Sequence, residues 1–223
     1  MKFLIHAAPQ RMWYVNDFLI PELRAQGAKL IEVWNDEKKA GNLQACMESF
    51  RQIKGHAGTW HLQDDVLPCR DFIKRCYELE GDGVVYGFTC NMFGDDIRQT
   101  GRVYAPDVWH SFQCVRIPDE YARECAAWYF SGDWRQDADP DLFALEDLGQ
   151  GDDSFFRAFL QTRHGRERFT NAAPNLVEHV DWLIGGSILS PWRGLLARSA
   201  LWNDQGELDA LKREIKRRNA PGE

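Results

Sequence analysis

Two pairs of adjacent aspartates are the residues of this sequence best suited to chemistry. Asp64 and Asp65 interrupt the stretch TWHLQDDVLPCRDF, which is otherwise typical of a buried strand. Neighbouring carboxylates at a strand end raise the free energy of the fold unless a cation lies between them. A hard divalent ion bound there could in turn bind a diphosphate. The alternative is a surface turn, in which aspartate is common.

The second pair, Asp152 and Asp153, opens the predicted helix DDSFFRAFLQTR. Acidic residues at a helix N-terminus are stabilised by the helix dipole, so a purely structural role is one interpretation. The other is that a carboxylate here acts as a general base and removes a proton from a hydroxyl group. That role requires the start of the helix to face a cleft.

His179, in the stretch PNLVEHVDWLIGGS, is the third candidate. A neutral imidazole is a competent metal ligand, and a structural histidine is the alternative. The Gly-Gly-Ser turn that follows includes Gly186 and Ser187, and its backbone N–H groups could receive a phosphate.

Basic residues form two groups in a chain whose formal net charge is −7. A solvated helix face is the better interpretation of the group near the C-terminus. An anionic acceptor or partner is the functional alternative. The groups are Arg157, Arg163, Arg166 and Arg168, and Lys212, Arg213, Lys216, Arg217 and Arg218.

The elements that must position these residues follow an α/β pattern. Three predicted strands, KFLIHAA, KLIEVWND and GTWHLQDDV, alternate with segments of helical spacing. This order is typical of a parallel sheet with right-handed crossovers. Ligands bind at the carboxyl ends of such strands, so we expect Asp36 and the Asp64–Asp65 pair to meet at one rim.

The second part of the chain is less regular. GVVYGFTC and SFQCVRI are predicted strands, and PDEYARECAAWYF is a predicted helix. The acidic, turn-rich stretch over 133–151 is typical of a loop or lid. The segment ELDALKREIKRR predicts a final helix with a basic end.

Composition limits the class of protein. The 223 residues, with 44% hydrophobic and 27% charged side chains, predict one globular domain with its own core. The acidic balance disfavours non-specific nucleic-acid binding. The six cysteines form no CxxC pair, which favours reduced intracellular thiols over a zinc cluster or disulfides. No stretch is typical of a signal peptide or a membrane span, so we expect a cytoplasmic protein.

The order of these features resembles that of the GT-A glycosyltransferases, above all their small bacterial and phage members. The features are Arg11 after the first strand, Asp36 after the second, HLQDDV at the third, and then DDSFF and LVEHV with its GGS turn. The resemblance implies an α/β fold with a mixed, mainly parallel central sheet flanked by helices.

The resemblance also implies a division of the chain. Residues 1–202 are expected to form a single catalytic domain, with a nucleotide-sugar-binding half at 1–90 and an acceptor half at 91–202. Residues 203–223 are then a basic C-terminal helix or tail.

As implied by the resemblance, the protein moves a sugar from a nucleotide-sugar, above all a UDP-sugar, to an acceptor hydroxyl. Asp65 would be the principal ligand of Mn²⁺ or Mg²⁺, with His179 completing the metal shell. Asp64 would be its neighbour or contact the sugar. Gln63 stands where many members carry the first acid of a DxD motif, so the motif here is only DxD-like.

The resemblance places further residues on the donor. Arg11 would lie on the side of the base or phosphates, and Asp36 near the nucleoside. Gly186 and Ser187 would face the diphosphate through their backbone.

On the acceptor side, Asp153 would be the catalytic base of an inverting enzyme, with Asp152 as the second candidate. Trp109, Trp128 and Trp134 could stack against an acceptor ring, and a place in the core is the alternative, above all for Trp128. A lid within 133–151 would keep water from the donor. The acceptor is a saccharide or a hydroxylated base of modified DNA.

Two other functions stay open on the sequence. A nucleotidyltransferase also combines an α/β sheet with metal-binding carboxylates, but HAAPQRMW is not the Gly-rich phosphate loop expected after its first strand. A catalytically inactive GT-A-like binding module is the other, and the joint presence of Asp65, Asp153 and His179 disfavours it.

Overall fold

Among the residues that it describes, the computed structural model contains a seven-stranded mixed sheet with strand order β2-β1-β3-β7-β5-β8-β6, and a second sheet formed by β4 and β9. The strands are β1 (Lys2–Ala7), β2 (Leu30–Asn35), β3 (Thr59–Gln63), β4 (Val66–Pro68), β5 (Val84–Tyr86), β6 (Gly101–Val103), β7 (Cys114–Ile117), β8 (Phe169–Ala173) and β9 (Val177–His179). The structure describes residues 1–38, 40–55, 57–81, 83–87, 101–103, 112–138, 151–165, 169–173, 175–184, 209, 212–215 and 217.

The helices cover both faces of the larger sheet. They are α1 (Met12–Tyr14), α2 (Ile20–Ala25), α3 (Asn42–Gln52), α4 (Phe72–Glu78), α5 (Asp119–Ser131), α6 (Trp134–Asp137), α7 (Asp152–Arg163) and α8 (Asp181–Ile184). A 3-10 turn (Pro9–Arg11) precedes α1, and a π-helical turn (Val15–Leu19) joins α1 to α2. Pro21, two residues after this turn, lacks the N–H group that a regular α-helical ladder needs.

Strand direction confirms a mixed, mainly parallel sheet. The strands β1, β2 and β3 are parallel neighbours. The antiparallel strand β7 joins β3 to β5, and β8 is parallel to β5. The strand β6 is antiparallel to β8. Among the described strands of this sheet, β6 and β7 therefore run against the other five, and the predicted α/β fold is confirmed.

Two hydrophobic cores lie on opposite faces of the sheet because side chains alternate along each strand. In β1, Phe3 and Ile5 belong to the core that also contains Leu23 of α2. Leu4 belongs to the other core, which contains Phe50 of α3 and residues of α5 and α7. Both faces of β1 are buried, and its carboxyl end is left as the edge at which polar groups collect.

Two predicted elements differ from those observed. The stretch GTWHLQDDV is not one strand: β3 ends at Gln63, Asp64 and Asp65 form a turn, and β4 belongs to the smaller sheet. The predicted loop over 133–151 begins with α6, because the buried Trp134 ring packs edge-on against Phe155. Residues 139–150 lie outside the described residues.

Of the predicted C-terminal helix, residues 209, 212–215 and 217 are described, and they are helical. Ile215 packs against the core that contains Phe3. Within the described residues, no helix combines the length and apolar character needed to cross a membrane.

Gly58 directly precedes β3 and has a backbone conformation that favours glycine. Its φ is +153°, and a Cβ there would lie 2.7 Å from Nη2 of Arg116. That guanidinium donates hydrogen bonds to the carbonyl oxygens of Gly83 (3.1 Å) and Ala57 (3.4 Å), so it is not free to retreat. We expect Gly58→Ala to lower the free energy of unfolding by about 2 kcal/mol, as measured in urea. The control Gly27→Ala, at φ +100° with nothing within 4 Å of the added Cβ, should cost about 1 kcal/mol. Equal losses of unfolding free energy in the two variants would show that the Arg116 side chain can move aside without cost.

Candidate functional site

The candidate site is centred on Asp64 and Asp65, at the carboxyl ends of β1 and β3. These strands are parallel neighbours, with His6 paired to Gln63, so the residues that follow them lie side by side. The backbone N–H of Ala8 donates a 2.6 Å hydrogen bond to Oδ2 of Asp64. The Asp64 and Asp65 residues are 5% and 6% exposed, so the pair is not a surface turn.

Arg11 is the cation that lies between the two carboxylates. Its Nη1 donates hydrogen bonds to Oδ1 of Asp64 at 2.9 Å and to Oδ2 of Asp65 at 2.6 Å. The 3-10 turn after β1 brings the guanidinium over the end of β3, where it is 8% exposed. A buried charged network of this kind stabilises only when its members are paired, which explains how two carboxylates are tolerated here.

His179 approaches Asp65 from the smaller sheet. The antiparallel pairing of β4 and β9 places His179 opposite Val66, and the N–H of Val180 donates to the carbonyl oxygen of Asp65 at 2.7 Å. Nε2 of His179 lies 3.2 Å from Oδ2 of Asp65, and Nδ1 lies 3.6 Å from Oδ1 of Asp181. His179 thus lies between two carboxylates, with Nε2 placed to donate a hydrogen bond to Asp65.

The two carboxyl groups of the pair respond differently to this environment. Burial raises the pKa of Asp64, and the charge of Asp65 adds to that shift. Burial also acts to raise the pKa of Asp65, but hydrogen bonding and charge from His179, together with Arg11, outweigh it and lower that pKa. The pKa of Asp65 is therefore the lower of the two, and its Oδ1 is buried without a hydrogen-bond partner.

Asp152, at the start of α7, is connected to the same strand end through Gln63. Its Oδ2 accepts a 3.2 Å hydrogen bond from Nε2 of Gln63, and its Oδ1 accepts a 2.8 Å bond from Nδ2 of Asn42. Burial, reinforced by the charge of Asp153, raises the pKa of Asp152 to about 7. The residue is 5% exposed, so a buried carboxyl group lies one side chain away from the Asp64–Asp65 pair.

Asp153 differs from its neighbour in exposure. It is half-buried, and its Oδ1 accepts a 2.7 Å hydrogen bond from the backbone N–H of Ser154 at the first turn of α7. Burial raises the pKa of Tyr86, at the end of β5, and the negative charge of Asp153 adds to that shift. The carboxylate of Asp153 is thus close enough to the end of β5 for its charge to act on Tyr86.

Solved structures of sugar-transferring enzymes share this architecture. Galactosyltransferase LgtC, in complex with donor and acceptor sugar analogues, superposes with a TM-score of 0.51 and 13% identity over 96% of this chain and 96% of its own. An active-site mutant of LgtC gives 0.51 and 11% identity over 100% of this chain and 98% of its own. This chain has the GT-A fold.

Comparison by sequence does not detect that likeness. No protein-family model matches the chain, and no curated protein matches it by sequence. The S. aureus TarS fragment 1–349 is a further structural match, with a TM-score of 0.48 and 11% identity over 82% of this chain and 62% of its own. At such identities the likeness to LgtC establishes the GT-A fold and leaves the roles of individual residues to the geometry.

The GT-A fold brings five of the predicted site residues together. Asp64 and Asp65 contact Arg11, Asp65 contacts His179, and Asp152 is joined to the group through Gln63. Asp153 follows Asp152 on α7 without a described contact to the aspartate pair.

Asp36 lies at the same sheet edge, after β2, where its N–H donates to the carbonyl oxygen of Ala7. Its Oδ1 accepts a 3.0 Å hydrogen bond from the N–H of Ala40, so its role toward a donor stays a prediction. Trp134 is 6% exposed, with Arg135 stacked 4.2 Å from its ring centre. This environment is that of a core residue, and a contact of Trp134 with an acceptor stays a prediction. The other predicted residues, Trp109, Gly186 and Ser187, lie outside the described residues.

The residues around Asp65 fit a divalent ion for which the protein provides only some of the ligands. Nε2 of His179 and Oδ2 of Asp65 lie 3.2 Å apart, and neighbouring ligands of an octahedral ion with bonds of about 2.1 Å lie about 3 Å apart. The unpartnered Oδ1 of Asp65 would be available as a further oxygen ligand. Among the described residues, no group of three or more His, Cys, Asp or Glu side chains could hold a metal ion. Phosphate oxygens or water would therefore complete the shell, which is common for Mg²⁺.

Asn42 and Asp181 were not predicted from the sequence, and no hydrogen-bond partner was predicted for Gln63. Asp181 had a local signal, because it follows His179 by two positions and a carboxylate commonly supports a ligating histidine. Asn42 had none, because it meets Asp152 across 110 positions of the chain.

Replacing Asp152 tests its raised pKa. The folded-state pKa of about 7 exceeds the ordinary value of 3.8, so the folded protein holds a proton that the unfolded chain releases between about pH 4 and pH 7. The stability that this proton contributes is lost as pH rises through 7.

We expect Asp152→Asn to raise the free energy of unfolding by about 2 kcal/mol at pH 8 and by much less at pH 5. The amides of Asn42 and Gln63 can rotate to pair with the new side chain. Urea unfolding at both pH values measures the difference, and a gain that is equal at both would refute the assignment.

Proposed function

We propose that this protein is a glycosyltransferase that moves a sugar from a nucleotide-sugar donor, a UDP-sugar above all, to an acceptor hydroxyl with the help of Mn²⁺ or Mg²⁺. The observation that carries the proposal is the buried group formed by Asp65, Arg11 and His179 at the carboxyl ends of β1 and β3. In open α/β sheets, ligands bind outside such strand ends. The GT-A fold of the chain supports the same reaction class.

Asp65 and His179 would hold the divalent ion, with Asp64 beside them. A bound ion supplies the positive charge that stabilises the departing nucleoside diphosphate. Asp181 lies on the far side of the His179 ring, with its Oδ1 3.6 Å from Nδ1. Arg11 adds a permanent positive charge on the same side, and Asp36 lies along the sheet edge where the nucleoside would extend. Gly186 and Ser187 are proposed to contact the diphosphate.

Asp153 is the proposed general base, which removes the proton of the attacking hydroxyl. Being half-buried, it can reach an incoming acceptor, whereas both carboxylate oxygens of the buried Asp152 are occupied by hydrogen bonds. Asp152 then positions Gln63 beneath the reacting sugar. A single base on the acceptor side favours inversion of configuration at the transferred carbon.

The acceptor is proposed to be a saccharide or a hydroxylated base of modified DNA, contacted by Trp109 and Trp134. We propose a cytoplasmic location, where nucleotide-sugars and reduced thiols coexist. Among the described residues, Cys46, Cys69, Cys76, Cys114 and Cys125 are free thiols, which supports that location.

A panel of nucleotide-sugars tests the proposal. We expect one donor to raise the melting temperature by several degrees with Mn²⁺ and by much less with EDTA, because a ligand at 100 times its Kd stabilises by about 2.7 kcal/mol. Transfer of that sugar is then followed on oligosaccharides and on duplex DNA with hydroxymethylated bases. If no donor binds, the GT-A fold serves as a binding module and the proposal fails.

A further inference from the structure

Arg11 lies where a divalent ion between the aspartates would lie. One nitrogen, Nη1, contacts both carboxylates, at 2.9 Å from Oδ1 of Asp64 and 2.6 Å from Oδ2 of Asp65. That same Oδ2 is the oxygen 3.2 Å from Nε2 of His179. An ion bound by both Asp65 and His179 would therefore need Oδ2 of Asp65, which already accepts a hydrogen bond from Arg11.

Charge makes simultaneous occupation unfavourable. Two cations that share one carboxylate oxygen in a buried site repel one another strongly, since little solvent screens them. Asp64 and Asp65 carry at most two negative charges, and Arg11 already offsets one of them. An added divalent ion leaves an excess of positive charge unless the guanidinium moves away or an anion enters.

The nucleoside diphosphate is such an anion, and guanidinium pairs with phosphate oxygens through two parallel N–H bonds. Arg11 is carried by the short 3-10 turn (Pro9–Arg11) at the end of β1, whose N-cap Ala8 has no side-chain cap. To leave the carboxylates, the Arg11 side chain would have to rotate about its own bonds.

We propose that Arg11 is a resident cation that a divalent ion must displace, and that the displaced guanidinium binds the donor diphosphate. This inference rests on the proposed function for its second half. Arg11 would thereby keep the aspartates paired in the empty protein, disfavour binding of an ion alone, and couple ion binding to donor binding. The protein would release the carboxylates only when the diphosphate offers the guanidinium another partner.

Mn²⁺ binding to the full chain, measured by electron paramagnetic resonance without nucleotide, tests the first half. We expect Arg11→Met to bind Mn²⁺ about tenfold or more tightly than wild type, because a competing charged hydrogen-bond donor has been removed. Arg11→Lys, which retains a cation, should stay within about threefold of wild type. Asp65→Asn in each background identifies the site, since the tight binding should disappear. Equal Mn²⁺ affinity in wild type and Arg11→Met overturns the competition.

UDP affinity at saturating Mn²⁺, measured by calorimetry, tests the second half. We expect Arg11→Met to lose about tenfold or more in UDP affinity although it binds the ion better. Opposite signs for the two ligands are the signature of exchange, because a merely structural role of Arg11 would weaken both. Unchanged UDP affinity overturns the transfer of the guanidinium to the diphosphate.

Wild-type protein provides a second measurement if Arg11→Met does not fold. With ¹⁵N-labelled arginine, the Nε–H resonance of Arg11 is assigned by its loss in Arg11→Lys. We expect it to shift when Mg²⁺ and UDP are added together and to change little with Mg²⁺ alone. A resonance that is unchanged in the complex with both overturns the exchange. If UDP binds no form of the protein, the proposed function fails, and the Mn²⁺ comparison without nucleotide still decides whether Arg11 competes with the ion.

Discussion

Asp65→Ala should abolish the stabilisation of the protein by Mn²⁺ and donor together and lower the rate of sugar transfer by about a thousandfold. Asp65 offers both a charged oxygen at 3.2 Å from His179 and a second, buried oxygen without a hydrogen-bond partner. Loss of the ion removes several kcal/mol of stabilisation from the leaving group, and each 1.36 kcal/mol corresponds to a factor of about ten in rate. Differential scanning fluorimetry with donor and Mn²⁺, followed by initial rates of transfer, measures both effects.

A matched control separates this effect from a loss of structure. Asp71, at the start of α4, is exposed, and Asp71→Ala should bind donor and Mn²⁺ as wild type does. Asp65→Ala should still unfold cooperatively without ligand, because Asp64 continues to pair with Arg11 at 2.9 Å. If Asp65→Ala retains metal-dependent donor binding, the ion is held elsewhere and the proposed role of Asp65 is wrong.

The parallel first half of the sheet was predictable because its signals are local. KFLIHAA, KLIEVWND and GTWHLQDDV are short apolar runs, and β1, β2 and β3 form within them. The ends of parallel strands must meet at one edge, which is why the Asp64–Asp65 pair could be placed at a rim from the sequence. These predictions depend on contacts that any strand-helix-strand unit makes.

The smaller sheet and the bridging arginine were not predictable in the same way. The strands β4 and β9 have three residues each and pair across more than a hundred positions of the chain, which no local periodicity encodes. Arg11 was assigned to a base or phosphate, yet it binds two carboxylates that are 53 and 54 positions away. A cation needed by two buried acids can come from any arginine or lysine, and only the fold selects one.

The second aspartate pair shows the same limit on a smaller scale. Adjacent residues of one type at a helix start are equivalent in a sequence, but successive side chains of an α-helix point about 100° apart. The fold turns Asp152 inward against Asn42 and Gln63 and leaves Asp153 half-buried. The two carboxyl groups therefore differ because one is more deeply buried, although both belong to aspartates.

Asp153→Asn is expected to lower the rate of sugar transfer by about 10²- to 10⁴-fold while leaving donor binding unchanged. The amide oxygen can still accept the hydrogen bond from the N–H of Ser154 that Oδ1 accepts at 2.7 Å, so α7 should keep its first turn. What is lost is the basicity needed to take a proton from the acceptor hydroxyl. Single-turnover transfer and calorimetric donor affinity, measured on the same preparation, separate chemistry from binding.

Asp152→Asn is the matched variant, because it makes the same change one residue earlier. If Asp153 is the base, Asp152→Asn should reduce transfer by less than about tenfold, through the loosened Gln63 contact at 3.2 Å. The opposite ranking would identify Asp152 as the base. In that case the wild-type rate would rise with pH through about 7, where burial places the pKa of Asp152, and the rise would vanish in Asp152→Asn. The pair of isosteric variants therefore assigns the base whichever of the two carboxylates carries it.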